Sequence, residues 1–121
     1  MDNSKEENSR GDCLFCRIAD GEIPADVVAS NEFAIAFRDI APTAPTHVLV
    51  IPRVHYSNAA EVAKQAPQLL AEMVLLADEV GQLDGLEGYR LVFNTGALAG
   101  QTVFHAHLHL VGGRPLQWPA G

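Results

Sequence analysis

The sequence predicts an α+β domain, a five-stranded antiparallel meander sheet with one long helix on one face. Three observations carry that expectation. Short β-rich apolar runs alternate with turn residues, a single stretch places apolar residues at helical spacing, and the connections are mostly short. Ala25 to Ala29 and Phe33 to Arg38 read as the two strands of a hairpin turning at Ser30-Asn31-Glu32. Residues 39–45 carry Pro42 and Pro45, which break strand and helix alike, and are read as a loop. Thr46 to Ile51 is a buried strand stopped by Pro52.

Ser57 or Asn58 can cap a short helix running to Ala63. Pro67 suits the first turn of the long helix. From there Leu69, Leu70, Met73, Leu76, Ala77, Val80 and Leu83 form one apolar stripe, with Val74 and Leu75 off it. Gly85 and Gly88 end that helix. Tyr89 to Asn94 is the next strand, and a glycine-rich loop from Thr95 to Gln101 leads into the last, Val103 to Val111. Residues 1–11 hold one apolar residue and mixed charge and are expected to form a tail, leaving 12–121 as the domain.

Composition narrows the function. A chain of 121 residues, 48% apolar and 19% charged, has room for one domain with its own core. Fifteen acidic against eight basic residues give a formal charge of −7, which argues against a nucleic-acid or membrane-surface binder. Backbone N–H groups and histidines can still hold a small phosphorylated ligand. No apolar run reaches the roughly 18–20 residues of a membrane span and no signal peptide is visible, so a cytoplasmic protein is expected.

The chemistry-bearing residues cluster at the two ends. Cys13 and Cys16 form a CxxC pair that reads as a redox couple, half of a metal site, or two buried thiols. The redox reading wants a helix N-terminus beside a βαβ pattern, which this stretch does not suggest. His105, His107 and His109 alternate with Ala106, Leu108 and Leu110. In a strand the three imidazoles share one face, roughly 6.5–7 Å apart, while the apolar residues pack on the core. Such a row suits a transition metal, a nucleophilic imidazole with its orienting neighbours, or an anion held by histidinium. Two features favour the nucleophile. No carboxylate adjoins the row, and the preceding glycine-rich loop, with Asn94, Gly100, Gln101 and Thr102, offers donors for a phosphate.

The motif His105 to Val111, HxHxHxx with apolar x positions, resembles that of the histidine triad (HIT) family, and specifically its Hint branch. The likeness extends through Leu14 to Ile18, Gly21 to Ala25, Ala34 to Asp39, Ala44 to His47, Val50 to Pro52, Gly88 to Arg90 and Gly112 to Arg114. It closes on Trp118-Pro119-Ala120-Gly121, which is similar to Hint proteins rather than to the diadenosine-polyphosphate hydrolases of the Fhit branch.

That resemblance implies a purine nucleoside phosphoramidase that hydrolyses P–N bonds in adenosine or guanosine phosphoramidates, lysine adenylates included. His107 is then the nucleophile, oriented by the backbone carbonyl of His105, with His109 at the phosphate and His47 nearby. The ribose falls to Asp39 and the phosphate to Asn94, Gln101 and Thr102, Gly100 belonging to the same loop. Thr102 stands where many relatives carry serine. The base would lie among Phe15, Ile18, Ile23, Phe37 and Ile40. The resemblance also implies a structural zinc on Cys13, Cys16, His55 and His105, and no organic cofactor is expected. It implies a homodimer whose sheet continues across the two-fold axis, with Trp118 reaching toward the partner's site. Two other functions compete: a nucleotide- and zinc-binding scaffold with incidental hydrolysis, and a dinucleotide polyphosphate hydrolase.

Overall fold

The computed structural model describes residues 13–121; the tail expected over 1–11, like residue 12, lies outside the described residues. In chain order the elements are α1 (Leu14–Ala19), β1 (Val27–Ser30), β2 (Ala34–Arg38) and β3 (Thr46–Pro52), then α2 (Ala59–Gln65), α3 (Pro67–Leu83), β4 (Tyr89–Phe93) and β5 (Leu108–Gly112). The hairpin turn is held by Asn31, whose Oδ1 accepts from the N–H groups of Phe33 and Ala34, both at 2.8 Å. Asn58 is the cap of α2, its Oδ1 accepting from Glu61 N. No helix among the described residues is long and apolar enough to cross a membrane.

All neighbouring strands are antiparallel, as expected, but their order is β1-β2-β3-β5-β4, so the meander is corrected at its last two strands. The physical reason is burial. β3 is buried along its whole length and needs a partner on each edge, and β5, with Leu108 and Leu110 sealed, can occupy the centre beside it. β4 is only half-buried and takes the edge.

The sheet separates two apolar clusters. On one face α3 packs Met73, Leu76, Ala77 and Val80 over Val48, Val50, Ala106, Leu108 and Leu110. On the other lie Cys13, Phe15, Cys16, Ile35, Phe37, Leu49 and Ile51. The helical stripe is therefore real from Leu69 to Val80, while Leu83 projects outward at the helix end, where the sheet no longer lies beneath it. Val74 and Leu75 are exposed, as their position off the stripe requires.

Two local expectations are corrected. The cysteines do stand at a helix N-terminus: Cys13 caps α1, and its Sγ accepts from Cys16 N at 3.3 Å. The last strand starts at Leu108, not Val103, because the Ala106 N–H is drawn away to Tyr56 O at 2.7 Å. His105 and His107 thus precede the ladder. Their alternation with Ala106 still holds, since Ala106 joins the helix-side cluster while both imidazoles meet Phe15 on the other side.

Candidate active site

The five histidines sort into two groups in space, His55 with His105 and His47 with His107 and His109. His105 is fully buried, and its Nε2 lies 2.8 Å from Pro52 O, a pure acceptor. Nε2 must carry the proton, so Nδ1 presents a bare lone pair. That nitrogen lies 3.3 Å from Cys13 Sγ, 3.5 Å from Cys16 Sγ and 3.2 Å from His55 Nδ1. Cys16 Sγ is in turn 3.3 Å from His55 Nδ1. Tetrahedral ligands at metal distances of about 2.0–2.3 Å stand roughly 3.3–3.8 Å apart. These separations fall close to that range, and all four donor atoms lie within 4.8 Å of one another, so the cluster could hold a metal ion. Two thiols and two imidazoles, three of the four residues buried and His55 half-buried, suit a soft or borderline cation with no position left for substrate.

The second group contains His47, His107 and His109. His107 is buried, and its Nδ1 lies 2.8 Å from the backbone oxygen of His105. The proton again sits on Nδ1, and Nε2 keeps its lone pair. Phe15 covers the ring edge-on at 5.0 Å. Burial pushes the His107 pKa below its usual value, against the smaller opposing pull of that hydrogen bond and of Asp39. The ring is held in one orientation with its Nε2 lone pair available.

His109, the next imidazole at 5.1 Å, has its pKa lowered to about 4 by burial first and then by His107 and His47. Its tautomer follows from His47. The Thr43 N–H donates to His47 Nδ1 at 3.2 Å, so the His47 proton sits on Nε2. His47 Nε2 is 3.0 Å from His109 Nδ1 and 3.5 Å from Asp39 Oδ2. Its proton is shared with them, and His109 carries its own proton on Nε2. His109 can donate where His107 can attack.

The same reasoning separates the two sets of ligand-type atoms. Asp39, His47 and His109 also converge, in a two-imidazole, one-carboxylate pattern. There, however, the His47 nitrogen facing the group bears the proton while the other accepts an N–H. A metal would require an imidazolate or a broken Thr43 bond. The first cluster is arranged to hold an ion; the second is a hydrogen-bonded chain.

Asp39 leaves β2 half-buried, with Oδ1 accepting from Ala41 N at 2.8 Å. Phe37 is buried against Phe15, ring centroids 5.8 Å apart, and Ile18 and Ile23 are half-buried. Ile40 and Trp118 are exposed and make no part of the core.

The glycine-rich loop differs from the expected cradle. Gln101 is buried; its Oε1 accepts from Gly96 N, and its amide donates to Ser57 O and Val103 O. Both amide protons are thus committed to shaping the loop. The Asn94 amide donates to Ala99 O, and the N–H groups of Ala99, Gly100 and Gln101 all return to oxygens within the loop. Gly100 supplies the left-handed residue that closes its 3-10 turn, Ala97–Ala99. Of the expected phosphate groups, Thr102 alone is exposed with its hydroxyl uncommitted. Sequence reasoning missed Thr43 and Pro52, which act through backbone groups that no side chain advertises.

Fold and site together define a class, an α+β protein with a row of histidines whose buried His107 is oriented by the backbone oxygen of His105. A HIT domain model matches residues 20–116, and the chain belongs to that family. It is 47% identical over 111 residues to an uncharacterized HIT-like protein of Synechococcus elongatus, covering 91% of this chain and 97% of that one. It is 42% identical to the purine nucleoside phosphoramidase of Escherichia coli over 85% of this chain and 88% of that protein. Among solved structures, a HIT family hydrolase from Legionella pneumophila superposes with a TM-score of 0.87 at 50% identity, covering 91% of this chain and all of that one.

Proposed function

We propose that the chain is a purine nucleoside phosphoramidase acting on adenosine or guanosine 5′-phosphoramidates. One observation carries the reading: His107 is neutral, with Nδ1–H anchored on the His105 carbonyl and Nε2 free to attack. Its likeness to the Escherichia coli enzyme supports the P–N bond as the target. Nε2 forms a bond to the α-phosphorus as the P–N bond breaks, and the departing amine nitrogen takes a proton from solvent, which the attacking water of the next step returns. Water then cleaves the nucleotidyl-histidine to give the nucleotide and restore the imidazole. The Nε2–H of His109 and the Thr102 hydroxyl would donate to phosphate oxygens, and Asp39 would accept from the ribose hydroxyls. Phe15, Phe37, Ile18 and Ile23 supply apolar surface for the base, with Ile40 beside them and Trp118 reaching toward the partner's site in the proposed dimer.

We further propose zinc for the Cys13, Cys16, His55, His105 cluster, as a structural ion. Holding the His105 side chain there fixes the carbonyl on which His107 turns. A homodimer is proposed from the exposed Val74 and Leu75 on α3 and the open edge of β4.

Release of AMP from adenosine phosphoramidate, assayed beside a diadenosine polyphosphate, tests the activity. The proposal expects turnover of the first at least about a hundredfold faster, a difference of roughly 2.7 kcal/mol in the barrier. Preference for the polyphosphate would overturn it.

A further inference from the structure

We propose that Asp84 is a positioning residue for the nucleotide site, tying Arg38 to Thr46 and thereby setting Asp39 and His47, the next residue after each. This rests on the reading of Asp39 as the ribose acceptor. Asp84 caps the C-terminus of α3, on the far face of the sheet from the imidazoles. Its carboxylate accepts from both ends of the Arg38 guanidinium, Nη1 to Oδ2 at 2.9 Å and Nη2 to Oδ1 at 3.0 Å. Oδ2 also accepts from the Thr46 hydroxyl at 2.7 Å. One side chain on a helix thus grips the last residue of β2 and the first of β3.

The location gives the grip its consequence. Between Arg38 and Thr46 the chain makes a loop with two prolines, and the two strand ends can splay there. Beyond Arg38, the one backbone bond that continues the pairing runs from Asp39 N to His47 O at 2.9 Å. Side chains alternate along a strand, so Thr46 pointing to the helix sends His47 to the opposite face, beside His109. Asp39 Oδ2 meets His47 Nε2 at 3.5 Å across the same gap. Asp84 therefore holds two active-site groups at one separation without touching either.

The geometry also distinguishes this pair from an ordinary surface ion pair. The bond is bidentate, the Asp84 side chain is only 18% exposed, and a third donor joins it. Among the described residues, no other side-chain hydrogen bond ties Arg38 to Thr46 across the loop.

The test is calorimetric titration of the intact protein with AMP and with 2′-deoxy-AMP. Wild type should prefer AMP, and Asp84→Ala should shrink that preference about tenfold while thermal unfolding stays well above the assay temperature. Thr46→Val, which removes one hydroxyl at constant shape, should move the ratio the same way by less. Tyr89→Phe removes a different carboxylate bond of α3, to Asp78, and should leave the ratio unchanged. If Asp39→Ala abolishes the preference while Asp84→Ala and Thr46→Val preserve it, Asp84 is merely structural and the inference falls alone. If Asp39→Ala also preserves it, the ribose assignment falls and takes the inference with it.

Discussion

At the residue scale, each imidazole is assigned its chemistry by the partner of its second nitrogen. A carbonyl behind His105 bares Nδ1 toward two thiols, a carbonyl behind His107 leaves its Nε2 lone pair free, and an N–H behind His47 makes it a donor to His109. The residue types and their alternation were legible in the sequence, as was the His105 carbonyl through family resemblance. Pro52 O and Thr43 N were not, because backbone groups have no letter of their own and reach these rings through tertiary folding. A pH prediction belongs here. His109 faces His107, His47 and Asp39, and its pKa is lowered to about 4 from the usual 6.5. Its native state therefore resists protonation between those values while the unfolded chain accepts it. The stability from this group is complete above pH 6.5 and is lost as pH falls toward 4. In a series of urea titrations, wild type should lose more stability over that window than His109→Asn. An equal loss in both would remove His109 as the source.

At the element scale, the short α1, the turn before Tyr56 and the stretch ahead of β5 share one cluster of thiols and imidazoles. A metal there fastens three segments that have little regular structure between them. An ion present at a hundred times its Kd stabilises by about 2.7 kcal/mol, and chelation should lower the melting temperature by roughly 10–20 °C. Scanning calorimetry with and without chelator measures this, and Cys16→Ser should abolish the difference. An unchanged melting temperature in a metal-replete sample would contradict the structural role. β5 itself depends on its buried leucines: Leu110→Ala should cost about 2–5 kcal/mol by urea titration, because the central strand cannot collapse onto the gap. Gly112→Ala should also destabilise, since an added Cβ would lie 3.1 Å from the Gly88 carbonyl oxygen and 2.8 Å from Leu86 Cδ1. The sequence reading overextended this strand to Val103, because apolar alternation continues where the ladder does not. Leu83 was misread for a similar reason: helical periodicity runs past the sheet that gives it a core.

At the scale of the whole molecule, strand count, antiparallel pairing and the helix on one face could all be read from patterning and turn residues. The order of the last two strands could not, because the alternation in β5 and the mixed burial of β4 fix which is central only once β3 needs a second neighbour. The proposed dimer belongs to this scale. Leu75 is 61% exposed on α3, a large apolar side chain left open by the described residues. Light scattering should give twice 13.0 kDa for the wild type and a shift toward the monomer for Leu75→Glu. A monomeric wild type at micromolar concentration would end the proposal. The proposed partner, a nucleotide rather than nucleic acid or membrane, accords with a chain of formal charge −7. A folded enzyme lacking only its nucleophile should lose turnover by on the order of 10⁴-fold or more, and His107→Ala is that variant.

The covalent step at His107 is the central claim, and intact-mass spectrometry after a rapid quench with adenosine phosphoramidate tests it most directly. The account predicts a transient gain of one AMP on the wild type and none on His107→Ala, with AMP release lost in the variant. AMP release persisting in His107→Ala, or an adduct forming on it as on the wild type, would contradict the account.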